Sequence, residues 1–189
     1  MKEHGDDLFR YPNIRLNFSS NIWAHADLSD LEAHLCQHID IIRHYPEPEP
    51  TSLEHLIAGK IHVSSDEIMV TNGITSAIHL ISKAYESRRH IVSVPSFSEY
   101  PHHGGQGCLR WICNPNNPTG KFLKMAETEE ILRECNRYDT KLFVDEAFIE
   151  FLEDGLKESI VNSRENKKNL FVTRAFIEFL EDGLKESIV

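Results

Sequence analysis

At 189 residues and a formal net charge of −10, the chain is long enough for one good core. It is too acidic to take nucleic acid or an anionic membrane as its main partner, since both demand a basic surface. No apolar run approaches the ~20 residues of a membrane span, and Met1–Asp7 has no signal-peptide apolar segment, so a cytoplasmic protein is expected.

Residues 1–27 read as an irregular N-terminal arm without helical period. Leu28, Leu31, Leu35, Ile39 and Ile42 then form an apolar stripe that predicts one amphipathic helix over 28–43. That helix places His34 and His38 on its polar side, and with no standard ligand spacing among the eleven histidines no metal site is expected. The four cysteines lack C-x-x-C spacing and read as buried reduced thiols. Prolines 46, 48 and 50 stop the helix. Thr51-Ser52-Leu53-Glu54 has capping-box spacing and opens a second one.

Glu67–Val70 predicts a short strand that runs through Thr71-Asn72-Gly73 into a helix ending near Tyr85. Strand, glycine and helix start together aim free N–H groups at an anion. His90–Val94 is the next strand, closed by Pro95-Ser96-Phe97-Ser98-Glu99-Tyr100. Residues 101–110 hold three glycines and read as a loop. A helix is expected over 126–138, with Thr128 near its start and Ile131, Leu132 and Cys135 inward. Lys141–Val144 is an apolar strand ending in Asp145, at the sheet edge where open α/β sheets bind ligands. Asn169–Thr173 is the last strand.

Between two of these strands lies Asn114-Pro115-Asn116-Asn117-Pro118-Thr119-Gly120. Two prolines stiffen it and Gly120 permits its turn, so asparagine amides are presented on a rigid frame. A lone Asn-Pro pair would be a surface turn; the full stretch is far more specific. It resembles the asparagine loop of the aminotransferase class I/II family, fold type I enzymes that use pyridoxal 5′-phosphate. The resemblance implies an α/β fold, a largely parallel sheet with helices on both faces. It also implies a role for particular residues. Asn117 would meet the cofactor's phenolic oxygen, and Asp145 the pyridine nitrogen. Phe97 would stack on the ring. Gly73, Ile74 and Thr75 would hold the phosphate, and Tyr45, in an R-x-Y-P-like element, would reach the phosphate of a neighbouring subunit in a homodimer. His4-Gly5 and Asn17–Asn21 resemble the opening of threonine-phosphate decarboxylases, which implies substrate contacts from His4 and Asn21. Phe148 departs from the tyrosine common there.

Two further departures bear on function. The family has a strand and helix where residues 101–110 stand, so the cofactor domain, residues 28–175, is internally shortened. Residues 176–189 repeat 148–161 letter for letter, and the identity begins at Ala147 and Ala175. One perfect copy is not a repeat architecture and suggests a copying or gene-assembly jump. The replay puts Glu178 where the family carries its Schiff-base lysine, and the family's C-terminal domain is expected to be absent. The expected parent activity is decarboxylation of threonine phosphate, as in cobalamin biosynthesis. Amino transfer with histidinol phosphate, as in histidine biosynthesis, is the alternative. Both act on a small phosphorylated amine. As written the chain has no catalytic residue and is expected to be inactive, or to be a non-catalytic binding module on the same fold.

Overall fold

The computed structural model describes residues 8–11, 13–17, 19–21, 27–101 and 106–174, which divide into two compact units, Met1–Ile41 and Ile42–Val189. His4, His102, His103 and the replayed segment lie outside the described residues.

α1 spans Ser29–Gln37 in the first unit, and 3-10 turns follow from Ile39 to Arg43, so the single helix expected over 28–43 is two pieces. The change of period breaks the expected stripe. Leu28, Leu35, Ile39 and Ile42 are exposed, while His34 turns inward with its ring 4.3 Å from that of His38. Cys36 is exposed on the same helix, against the expectation of buried thiols; Cys113 and Cys135 are buried and all four cysteines are free.

The second unit is built on four parallel strands, β1 (Arg89–Val92), β2 (Cys108–Cys113), β3 (Lys141–Asp145) and β4 (Leu170–Thr173), in the order β1-β2-β3-β4. Leu142, Phe143 and Val144 are all fully buried, as a central strand covered on both faces requires. Because successive side chains alternate, Phe143 joins Leu109, Trp111 and Cys113 beneath α3 (Ile74–Ala84) through Ile78 and Ile81. Leu142 and Val144 meet Leu132 and Cys135 of α4 (Met125–Arg137) and Ile160 on the other face. The expected parallel sheet with helices on both faces is therefore present. Each buried Leu or Ile of these layers contributes about 1.5–3 kcal/mol.

Several local expectations fail for physical reasons. Residues 68–70 form no strand: Ile68 is extended but finds no partner strand among the described residues, and the Val70 amide is taken by Glu54 Oε1 at 3.3 Å. The residues that precede them, Ser65–Glu67, are a 3-10 turn with a Ser64/Glu67 capping box. Helix α2 (Thr51–Ile61) has no box of its own; Glu47 reaches from the proline segment to the Ser52 amide and hydroxyl instead. α4 opens at Met125, where Glu127 caps Lys124, so Thr128 is already inside the helix and buried. The stretch expected to be loop through Arg110 becomes β2 at Cys108, because Gly107 at φ +70° turns the chain into register with Arg89. β1 ends at Val92, not Val94; the chain leaves the sheet at Pro95, whose carbonyl is bonded by Asn116.

After β3 the chain folds back through 3-10 turns pinned by Glu146. This buried carboxylate accepts the Ser159 hydroxyl at 2.5 Å and the Ile160 amide at 2.9 Å. Gly155 sits where a Cβ would lie 1.8 Å from the Ile149 carbonyl oxygen. Gly59, inside α2, has nothing within 4 Å. Urea unfolding should therefore separate two formally identical changes. Gly59→Ala should stabilise by about 0.5–1 kcal/mol through reduced backbone entropy. Gly155→Ala should destabilise by about 1–3 kcal/mol because backbone must move.

Candidate active site

The carboxyl ends of β2 and β3 lie side by side, with Cys113 opposite Asp145 and the Asn114 amide bonded to the Asp145 carbonyl at 2.8 Å. Asn117 and Asp145 stand at this edge, and Phe97 and Ile74 pack on the core cluster that includes Cys113, while Tyr45 stands apart. The three asparagines of the loop take different parts. Asn114 is buried and braces the loop through the Leu123 backbone, Nδ2 to the carbonyl at 2.8 Å and the amide to Oδ1 at 2.7 Å. Asn116 ties the loop to the segment after β1, donating to the Pro95 carbonyl at 3.0 Å and accepting from Ser96 Oγ at 3.0 Å. The Asn117 amide rests on Cys113 Sγ at 3.4 Å. Its carboxamide is half-buried and bonds to none of the described residues, so it alone of the three remains available to a ligand.

Asp145 is buried with both oxygens engaged. Oδ2 accepts the Tyr100 hydroxyl at 2.6 Å and Oδ1 accepts the Ala147 amide at 3.0 Å. Burial raises its carboxyl above the ordinary range, and those two bonds offset part of the rise. Burial likewise raises Cys113 and drives the Tyr100 hydroxyl far above its usual value, with Asp145 adding to both. Thr173, opposite Asp145 in the β3–β4 register, brings a buried hydroxyl beside that carboxylate without meeting hydrogen-bond geometry.

Phe97 and Ile74 are half-buried against the same core cluster as Tyr100 and Trp111, and Phe97 meets Tyr100 edge-on at 5.8 Å. Gly73, at φ +78°, is the N-cap of α3 and supplies no side-chain cap, so the first amides of that helix, Ile74 and Thr75 among them, receive none. This is the arrangement that favours an anion. Tyr45 is wholly exposed on the proline segment and bonds to none of the described residues. Asn21 is exposed in the first unit. Among the described residues no three metal-ligating side chains come together, and no helix is long and apolar enough to cross a membrane.

With this geometry, comparison with known proteins is informative. Residues 102–176, which carry the asparagine loop and Asp145, match the family aminotransferase class I and II. Over that stretch the chain is similar to the family. Over 170 residues it is 27% identical to threonine-phosphate decarboxylase of Salmonella typhimurium, covering 75% of this chain and 47% of that protein. It is 27% identical over 147 residues to histidinol-phosphate aminotransferase of Limosilactobacillus fermentum, covering 61% of this chain and 40% of that one. The chain thus spans less than half the length of these relatives. The crystal structure of L-threonine-O-3-phosphate decarboxylase from Porphyromonas gingivalis superposes with a TM-score of 0.73 at 28% identity, over 84% of this chain and 56% of that chain. The resemblance read from the sequence holds, and so does the fold it implied.

Reading the sequence alone missed Tyr100, Ser96 and the bracing roles of Asn114 and Asn116. The signal for Tyr100 was available: a polar aromatic three residues after Phe97 in a segment that must pack on Trp111.

The raised Asp145 fixes the sign of one pH effect. A carboxyl that ionises at higher pH when folded than when unfolded stabilises the fold fully below the ordinary carboxylate range, and that contribution is lost as pH rises through the folded value. Glu146 is raised by burial too and acts in the same direction. Asp145→Asn should therefore be more stable than wild type at pH 7, its Asn able to donate to the Tyr100 oxygen. The advantage should shrink as pH falls towards 4. Denaturant midpoints at several pH values measure this.

Proposed function

We propose that this chain forms the cofactor half of a pyridoxal 5′-phosphate site, of the kind that handles a small phosphorylated amine or amino acid. The carrying observation is the buried Asp145 carboxylate at the strand edge, flanked by the unengaged Asn117 carboxamide. Bound there, the cofactor would supply an electron sink for a carbanion at the substrate's α-carbon. Asp145 would accept a hydrogen bond from the protonated ring nitrogen and Asn117 would donate to the phenolic oxygen. Phe97 would cover a ring face. Gly73 and the amides of Ile74 and Thr75 would receive the phosphate at the uncapped start of α3. Fit to the residues present is supported by the unused carboxamide, the orphaned Thr173 hydroxyl and the uncapped helix start, polar groups that find no hydrogen-bonding side chain among the described residues.

Threonine-phosphate decarboxylase-like chemistry is our first reading, supported by two of the three relatives described above. Histidinol-phosphate aminotransferase-like chemistry is the alternative that the third supports. On either reading we expect a cytoplasmic protein, and we assign substrate contacts to His4 and Asn21. Full exposure of Tyr45 fits a residue that acts on the neighbouring subunit of a homodimer. In domain terms we assign 1–27 to an arm, 28–175 to the cofactor domain shortened near 101–110, and 176–189 to the replayed copy of 148–161. A non-catalytic binding module is the second reading, favoured by the glutamate at 178.

Two measurements test these readings. Pyridoxine 5′-phosphate, which lacks the aldehyde and cannot react with surface lysines, should bind with saturable fluorescence change. Asp145→Asn and Asn117→Ala should each weaken it about tenfold or more, as loss of a charge-assisted or buried hydrogen bond does. Glu146→Gln, which keeps the Ser159 clamp, should not; equal effects at 145 and 146 would sink the assignment. For catalysis, the expectation is no product from threonine phosphate or histidinol phosphate. Borohydride reduction after adding pyridoxal 5′-phosphate should leave scattered, substoichiometric lysine adducts. One stoichiometric modified lysine together with turnover would reverse the inactive reading.

A further inference from the structure

Tyr100 is the side chain nearest the chemistry for which neither the family resemblance nor the proposed contacts account. It is 2% exposed, stacked on Trp111 at 5.4 Å and 25°, and edge-on to Phe97 at 5.8 Å. Trp111 is fixed in turn. Its indole N–H donates to His90 Nδ1 at 3.0 Å, which leaves His90 Nε2 to carry the proton and donate to the Tyr85 carbonyl at 3.1 Å. The phenol is thus gripped by aromatic rings on the α3 face of the sheet, with its oxygen delivered to Asp145 Oδ2 at 2.6 Å.

We propose that Tyr100 is a positioning residue for Asp145, its phenol holding the carboxylate ionised and oriented so that the remaining acceptor sites face a pyridine nitrogen. A carboxylate has about four lone-pair sites. Tyr100 and the Ala147 amide occupy one on each oxygen, which fixes the plane of the group and leaves an acceptor site open on each oxygen. The tyrosine remains a donor throughout the working range, because burial and the neighbouring Asp145 and Cys113 oppose its ionisation. The other charged or titratable groups around Asp145 do not substitute for it. Cys113, from β2, is a weak donor whose own ionisation burial resists. Glu146, next on β3, is a like charge. Arg174, beyond β4, approaches Glu146 at 3.8 Å rather than Asp145. Thr173 stands near but out of hydrogen-bond geometry. The same corner also serves the second ligand-facing group, since Cys113 Sγ accepts the Asn117 amide.

The ring-nitrogen part of this role rests on the cofactor reading above; the hold on Asp145 does not. Tyr100→Phe separates them, because it keeps the stacked ring and removes only the hydroxyl. In protein labelled with carboxyl-13C aspartate, the resonance lost in Asp145→Asn identifies Asp145. Its titration midpoint in Tyr100→Phe should move to higher pH, with the amide spectrum of the core otherwise kept. A filler role in packing would leave that midpoint where it is, and an unchanged midpoint overturns the proposal. Pyridoxine 5′-phosphate should bind Tyr100→Phe about tenfold more weakly near neutral pH. The deficit should narrow as pH rises and the carboxyl ionises in both proteins. A shifted midpoint without saturable binding to either protein overturns the ring-nitrogen role and supports the hold on Asp145. If Tyr100→Phe does not fold, 3-fluorotyrosine placed at position 100 gives the same ring with a stronger donor. The Asp145 midpoint must then fall, and a static midpoint overturns the proposal.

Discussion

A carboxylate at the end of a central, doubly covered strand is the constraint to which this fold answers. Asp145 is 3% exposed. An ionised group so far from water is tolerable only with donors in place, and the cost shows as a raised carboxyl. The donors come from parts of the chain far apart in sequence: Tyr100 from the segment after β1 and Ala147 from the turn after β3. Their convergence requires β1, β2 and β3 in parallel register, so the sheet is the frame and Asp145 the point it serves. A fold with only stability to satisfy would place an apolar residue there.

The asparagine loop solves a related problem. Prolines and a left-handed Gly120 remove its freedom, but stiffness alone would not orient it. Asn114 and Asn116 act as backbone substitutes, satisfying Leu123, Pro95 and Ser96, and in doing so join the ends of β1 and β2. Asn117 is then the residue left over. That division of labour explains how three chemically identical side chains in one short loop can have two structural members and one whose carboxamide is left unengaged by the described residues.

Much of this was legible in the sequence, and the failures have a common cause. β3 and α4 were readable because an apolar run and a helical period leave little choice. The strand-end position of Asp145 followed directly. What depended on distant partners was not. Residues 68–70 have strand-like composition but no neighbour to pair with, and the Thr51 box lost to a glutamate from outside the helix. β2 starts earlier than its glycine-rich lead-in suggested, because register with Arg89 matters more than local propensity. Tyr100 was passed over for the same reason: its significance lies in Asp145, forty-five residues away. Motifs report side chains that face a ligand, whereas residues behind them are visible only once the chain has folded.

The repeated segment carries that lesson to its limit. In the first copy, Ser159 and Ile160 are clamped by Glu146, a residue that precedes the repeated letters. The corresponding residue before the second copy is Arg174. A guanidinium has donors and no acceptor, so it cannot receive a hydroxyl and an amide as a carboxylate does. Asp145 is likewise replaced by Thr173, which removes the charge around which the first copy's turn is arranged. Identical sequence from alanine onward therefore meets two different chemical environments at its root. The fold-back after β3 is a property of Asp145 and Glu146 together with the letters that follow them.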